Sequence, residues 1–397
     1  MVPCPKCGAP LQRRVTKATK RAFYGCVRFM ETGCRGSMNE AEWADCAKLA
    51  ARQARRSLVR SLDETESQSY PEPTKYDGAI VPTAEFEHPI GLNRPGIGVA
   101  LFNPPQSYIV RNGLHRKKCN LVITTPTSSG KTAMAEMVIA RQFHRGKRAV
   151  YVSPLRAVTN EKYQEWTDKA HPFSSRRVSI LTGDYRSGPE REKELNRAEL
   201  ILLTSEMLDS RSRKAGNEKN EWLRNVGACV VDEAHLLGTD RGPALEVGLM
   251  RFTEESPGSR LIFLSATMPN IDEVKEWLTS LNGMATVVVD LPWRPVELRM
   301  HWVPYQHSGS SQVMDERFDM VEEIVRRHYN EGGILVFVHT KRMGRDMQDM
   351  LRKSGFTCEF HSGELEKKKR HDLENRFRSL KLPVLISTST LAWGVNV

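Results

Sequence analysis

The chain has 397 residues, 39% apolar and 27% charged, with 59 Lys/Arg against 48 Asp/Glu for a formal charge of +11. This composition suits a globular chain of two to four domains with a polyanionic partner, and it excludes collagen-like and broadly disordered classes. No apolar run approaches the ~18 residues that span a bilayer and no apolar h-region follows the start, so an intracellular, cytoplasmic chain with no membrane partner is expected.

Residues 1–60 hold 13 Lys/Arg against 4 Asp/Glu, so most of the net charge sits at the start of the chain. Four of the eight cysteines are there too: Cys4, Cys7, Cys26 and Cys34, spaced C-x2-C, eighteen residues, then C-x7-C. In a reducing compartment such a set points to metal binding, and four thiolates can close a tetrahedral Zn²⁺ shell. A module this small buries too little core to fold alone, so the metal would supply much of its folding energy. Cys46, Cys119, Cys229 and Cys358 are read as ordinary thiols.

The stretch Cys4-Pro-Lys-Cys-Gly-Ala-Pro-Leu11, Phe23-Tyr24-Gly25-Cys26 and Cys34-Arg35-Gly36 resembles the four-cysteine zinc ribbons at the C-termini of type I DNA topoisomerases. The resemblance implies a ribbon over residues 1–38 that grips single-stranded DNA. Its stacking candidates are Phe23, Tyr24 and Phe29, and its phosphate candidates are Arg13, Arg14, Lys17, Lys20, Arg21 and Arg28. Packing of Phe23 or Tyr24 into the ribbon's own core is the competing reading.

Residues 39–62 read as a basic helix. Asn39 with Glu42 resembles a capping box, Ala44, Ala47, Ala51, Ala54 and Leu58 form one seam, and Lys48, Arg52, Arg56 and Arg60 form one row. That row is either a solvated face or a phosphate contact. Residues 63–84, acidic and then proline-punctuated, read as a linker.

From about residue 99 short apolar runs alternate with helical stretches, the signature of βαβ units and hence of an α/β fold around a parallel sheet. An apolar strand feeds the loop Thr125-Pro126-Thr127-Ser128-Ser129-Gly130-Lys131-Thr132, and helix-forming residues follow. Backbone N–H groups of such a loop can surround a triphosphate, with Lys131 on the β/γ oxygens and Thr132 on Mg²⁺. Thr125 stands where the usual pattern has its first glycine. A second strand ends in Asp232-Glu233-Ala-His235. Asp232 can hold Mg²⁺ through water and Glu233 can act as general base, while His235 alone could cap or pack. Together the two motifs, about 100 residues apart, point to a nucleoside-triphosphate-hydrolysing enzyme with Lys131, Asp232 and Glu233 as its catalytic groups.

In this order the motifs resemble those of superfamily 2 DExH-box helicases, within the superkiller-like branch and nearest its archaeal DNA-repair members. The likeness runs from about Phe102 to Val397. It implies two RecA-like domains, at residues 85–292 and 293–397. Gln106 in Phe102-Asn-Pro-Pro-Gln106 would read adenine. The backbone-gripping elements would be Ser153-Pro154-Leu155-Arg156, Thr182-Gly183-Asp184 and Thr204-Ser205-Glu206. Asp240-Arg-Gly-Pro-Ala-Leu-Glu246 is typical of the branch, and Ser265-Ala-Thr267 resembles the motif that couples hydrolysis to domain movement. Trp293-Arg-Pro-Val296 resembles the crossover to the second domain. There, Thr340 and Arg342 in motif IV and Thr388 in motif V would face nucleic acid, and Gly394 and Asn396 would approach the nucleotide. His361-Ser-Gly363 and Arg370 resemble the intervening element.

The resemblance further implies ATP·Mg²⁺ between two sheets and 3′→5′ movement on a single-stranded or tailed nucleic acid, DNA favoured over RNA. An RNA helicase of the same branch and a non-catalytic ATP-binding tether remain the alternatives. The sequence ends just after motif V, ahead of the family's strand-separating hairpin and motif VI arginines. A fragment of a longer protein is therefore expected rather than a degenerate paralogue, and poor hydrolysis by this polypeptide alone.

Overall fold

The computed structural model describes residues 3–16, 21–46, 93–94, 97–98, 101–183, 188–214, 218–240, 242–303 and 310–388. Near the start, β1 (Leu11–Val15), β2 (Ala22–Cys26) and β3 (Ser37–Asn39) form a small antiparallel sheet in the order β1-β2-β3. Residues 40–46 are helical, and Asn39 and Glu42 cap this segment reciprocally: the Glu42 N–H donates to Asn39 Oδ1 and the Asn39 N–H to Glu42 Oε2. The remainder of the expected basic helix, with its Lys48, Arg52, Arg56 and Arg60 row, lies outside the described residues, as does the linker 63–84. Two short strands, β4 (Asn93–Arg94) and β5 (Ile97–Gly98), pair antiparallel.

Residues 70–298 belong to one compact unit. Its sheet contains β6 (Asn120–Thr124), β7 (Arg148–Ser153), β8 (Val178–Leu181), β9 (Leu200–Thr204), β10 (Val226–Val231), β11 (Arg260–Ser265) and β12 (Thr286–Asp290). All run parallel, in the order β12-β6-β11-β10-β7-β9-β8. The connecting helices are α1 (Pro104–Arg111), α2 (Lys131–His144), α3 (Arg156–Thr167), α4 (Pro189–Arg197), α5 (Ser205–Ser212), α6 (Gly242–Glu255) and α7 (Ile271–Asn282). Parallel strands covered on both faces read as continuous apolar runs. Alternate residues feed two cores: Leu121, Ile123, Tyr151 and Val230 point to one, and Val122, Val150, Val152 and Val231 to the other.

Buried polar groups lock the strand starts. The Arg260 guanidinium donates to the carbonyls of Cys119, His115 and Leu114 at 2.7, 3.0 and 2.7 Å, and its burial lowers its pKa to about 10. The Asn120 amide donates to the Leu278 and Met284 carbonyls and accepts the Leu261 N–H.

The second RecA-like sheet contains β13 (Ile334–Phe337), β14 (Cys358–His361) and β15 (Val384–Ser387), parallel in the order β13-β15-β14. Helices α8 (Ser310–His328), α9 (Lys341–Lys353) and α10 (Lys367–Arg378) accompany it. Among the described residues no helix is long and apolar enough to cross a membrane.

Candidate active site and nucleic-acid elements

The strand register explains why the sequence motifs gather. Thr124 pairs with Ser265, Val231 with both Phe263 and Val152, and Ser153 with Thr204. The loops after β6, β11, β10, β7 and β9 therefore leave the sheet side by side at its carboxyl edge, where open α/β sheets bind ligands.

The loop after β6 turns back through two left-handed residues, Ser128 (φ 63°) and Gly130 (φ 80°). A Cβ on Gly130 would also lie 2.3 Å from the Gln106 side-chain nitrogen, so glycine is required there twice over. The Thr125 hydroxyl is buried and accepts from Ser129 Oγ at 2.7 Å, a role open to a side chain and closed to the usual glycine. Thr127 and Ser128 are exposed, and Pro126 and Thr132 half-buried. Lys131, the first residue of α2, donates from Nζ to the Thr125 and Pro126 carbonyls at 2.7 and 3.0 Å. Burial lowers its pKa, Glu233 and Asp232 oppose that shift, and Arg294 adds to it.

Asn103 caps α1 in a complete capping box with Gln106 and donates to the Ser129 carbonyl at 2.8 Å. Gln106 is buried, its oxygen on the Asn103 N–H and its nitrogen 3.5 Å from the Gly130 carbonyl. Thus α1 is hydrogen-bonded to the phosphate-type loop.

Beyond β10, Asp232 Oδ1 accepts the Glu233 N–H at 3.0 Å and Oδ2 accepts the Tyr151 hydroxyl at 2.5 Å. Glu233 is left-handed (φ 48°), and burial followed by the Asp232 charge raises its pKa while Lys131 opposes. His235 Nδ1 lies 3.3 Å from both Glu233 Oε2 and Ser265 Oγ, and burial lowers its pKa. Ser265 donates to the Thr267 carbonyl, and its own carbonyl accepts the Thr125 N–H at 3.3 Å. The two motifs and the Ser-Ala-Thr string are thus one hydrogen-bonded assembly.

Of the residues expected to grip nucleic acid, Arg156 and Gly183 are in contact: a Cβ on Gly183 would lie 2.7 Å from Arg156 Nη2. Pro154, Thr182 and Thr204 are buried; Leu155 sits half-buried at the N-cap position of α3 and Thr204 at that of α5, neither with a side-chain capping bond, and Ser205 is buried and Glu206 exposed behind Thr204. In the second sheet's domain, Thr340 caps α9 by accepting the Met343 N–H at 3.2 Å. Arg342 is 94% exposed in its side chain, and Thr388, at the end of β15, is buried. Asp184, Gly394 and Asn396 lie outside the described residues.

In the antiparallel module the Sγ atoms of Cys4, Cys7, Cys26 and Cys34 all lie within 4.8 Å of one another. Cys4 and Cys34 are 3.8 Å apart and Cys7 and Cys26 3.4 Å, close to the ~3.8 Å edge of a tetrahedron with 2.3 Å Zn–S bonds. A Cβ on Gly36 would lie 2.2 Å from Cys4 Sγ, so the backbone closes on the cluster there. The donors fit zinc. The Tyr24 ring stacks on Trp43 of the following helical segment (centroids 4.1 Å, planes 6° apart), a packing partner outside the ribbon's own core. Arg13 pairs with Glu40, and Arg14 donates to the Cys26 carbonyl and lies over the exposed Phe29 ring.

Two features escaped the sequence reading. One is Tyr151 beneath Asp232; its only signal is a hydroxyl in the aliphatic run Ala149-Val-Tyr-Val152. The other is Glu136 on α2, whose carboxylate accepts the Trp166 indole N–H at 2.8 Å and faces His171 Nε2 at 3.4 Å. Glu136, Glu165 and His171 lie close enough to suggest a metal. However, His171 Nδ1 accepts the Phe173 N–H, so the neutral ring carries its proton on Nε2 and serves Glu136 as a donor.

Residues 103–274 match the DEAD/DEAH box helicase family and residues 316–397 the helicase conserved C-terminal domain. The chain is similar to the ATP-dependent DNA helicases Hel308 of Pyrococcus abyssi (31% identity over 340 residues, 75% of this chain and 44% of that protein) and Methanocella arvoryzae (30% over 348 residues, 76% and 45%). It is also similar to activating signal cointegrator 1 complex subunit 3 of Gallus gallus (30% over 335 residues, 74% and 15%). The chain therefore spans less than half the length of each. A crystal structure of the DUF1998 helicase MrfA bound to DNA and AMPPNP shares the fold, with a TM-score of 0.65 and 20% identity over 85% of this chain and 49% of that one.

Proposed function

Because the chain belongs to the superfamily 2 DEAD/DEAH-box helicases of the superkiller-like branch, we propose that it is the motor portion of an ATP-driven enzyme moving 3′→5′ on single-stranded DNA. The observation that carries this reading is the hydrogen-bonded assembly of phosphate-type loop, Ser265, His235 and Glu233 at one sheet edge.

Lys131 would exchange its two carbonyl acceptors for β/γ-phosphate oxygens. Thr132 and Asp232 would hold magnesium, which neutralises charge on the transferring phosphoryl group. Glu233 would accept the proton of the attacking water, and its raised pKa brings it nearer the operating pH of a general base. His235 and Ser265 would carry the change in charge at Glu233 to the adjacent loop. Arg156, held against Gly183, with the second domain's Thr340 and Arg342, would contact phosphates, giving salt-sensitive binding with little base preference.

DNA is favoured because two relatives are named as DNA helicases and MrfA was solved with DNA. The four-thiolate module, holding zinc, would add a second grip on the strand.

The test is ATP turnover with and without single-stranded DNA, wild type against Glu233→Gln, followed by displacement of matched 3′-tailed DNA and RNA duplexes. DNA-stimulated turnover lost in the variant, with displacement of the DNA duplex, is expected. Turnover that ignores Glu233 overturns the mechanism, and preference for the RNA duplex overturns the substrate.

A further inference from the structure

We propose that Tyr151 positions Asp232 for magnesium, an inference that rests on the ATP-binding reading above. Tyr151 sits mid-strand in β7 and is fully buried. A hydroxyl at that depth needs a partner, and its partner is Asp232 Oδ2 at 2.5 Å. Tyr151 pairs in register with Val230, two residues ahead of Asp232, so Tyr151 and Asp232, just past the end of β10, lie on the same side of the sheet.

The second carboxylate oxygen takes the Glu233 N–H at 3.0 Å. One donor on each oxygen fixes the carboxylate's rotation and leaves lone pairs on both for a hydrated cation. Without the hydroxyl the group is held on one side only.

The tyrosine ring is itself held. Trp166 of α3 meets it edge to face, with centroids 4.9 Å apart and planes at 80°. The indole of Trp166 is fixed in turn by Glu136 of α2, the helix that begins at Lys131. The hydroxyl's position is thus set from β7, α3 and α2 together, and supporting contacts of this kind commonly change metal affinity 10–100-fold.

The test uses the 397-residue chain and the fluorescent nucleotide N-methylanthraniloyl-ATP, with binding followed by anisotropy during a Mg²⁺ titration. Tyr151→Phe keeps the ring and deletes the hydroxyl. It should raise the Mg²⁺ concentration at half-maximal binding about tenfold and leave binding in EDTA unchanged. On an Asp232→Asn background the same substitution should add nothing. An unaltered midpoint, or an equal shift on both backgrounds, overturns the proposal. Should Tyr151→Phe fail to fold, Trp166→Phe decides: it keeps the hydroxyl but loosens the ring, so the midpoint should rise in the same direction, and an unmoved midpoint overturns the proposal. Wild-type chain that binds no nucleotide overturns the ATP-site reading as well, whereas wild-type binding with an unmoved variant overturns the Tyr151 role alone.

Discussion

His235 Nδ1 lies 3.3 Å from Ser265 Oγ, and the backbone carbonyl of Ser265 accepts the N–H of Thr125. One residue of β11 therefore touches the acidic loop with its side chain and the phosphate-type loop with its main chain. Ser265→Ala deletes the first contact, with the local Oγ bonds to the Thr267 main chain, and spares the second. Nucleotide affinity should stay within about twofold, while stimulation of ATP turnover by single-stranded DNA falls about tenfold, the equivalent of one hydrogen bond worth ~1.4 kcal/mol. Steady-state turnover with and without oligonucleotide checks this, and equal losses in both would take Ser265 out of the coupling to nucleic acid.

Glu233 gives a pH signature. Its folded pKa lies above the ordinary carboxylate range, first because it is buried and second because of Asp232. Folding thus favours the protonated form. Stability from this group is present at low pH and is lost as pH rises through the raised value. Glu233→Gln removes the charge, so it should raise the melting temperature at about pH 8 and leave it unchanged at about pH 4. A destabilised variant at the higher pH would mean that the carboxylate is stabilised where it sits.

Gly183→Ala places a methyl group 2.7 Å from Arg156 Nη2, at the mobile end of a long side chain. The guanidinium can yield, so the fold should survive with an unaltered melting temperature. Affinity for single-stranded DNA should drop, and the slope of log affinity against log salt should become shallower by about 1, the loss of one phosphate contact. A full slope with normal affinity would remove this pair from the strand path.

Cys26→Ser addresses the thiolate cluster. The wild-type chain should release one zinc ion to a chromogenic chelator after thiol modification, and the variant none. Nucleotide binding should persist in the variant, since the phosphate-type loop belongs to a different compact unit from Cys26. A metal-free wild type would leave the four sulfurs as a hydrogen-bonded thiol group.

The sequence was most legible where chemistry forces residue type. Gly130 must be glycine for its φ and for the approach of Gln106, the β6 and β10 strands must be apolar on both faces, and four sulfurs at ribbon spacing leave few uses besides metal. It was least legible where one group serves partners far along the chain. Arg260 reaches carbonyls more than 140 residues away, and Tyr151 reaches Asp232 across 81. Neither pairing leaves a local pattern, because strand order, not spacing, brings them together. The expectation for Gln106 stood between these extremes. The structure links it to the phosphate-type loop, but its amide is also engaged by Asn103 in a capping box, a partnership the sequence reading did not include.

Lys131 already has oxygen neighbours of its own, two carbonyls from the turn it closes. A phosphate that recruits this ammonium exchanges one set of acceptors for another, and its net gain is the difference between them. The loop thereby moderates its own grip. In the proposed motor cycle, a lysine with a home to return to would let spent nucleotide leave.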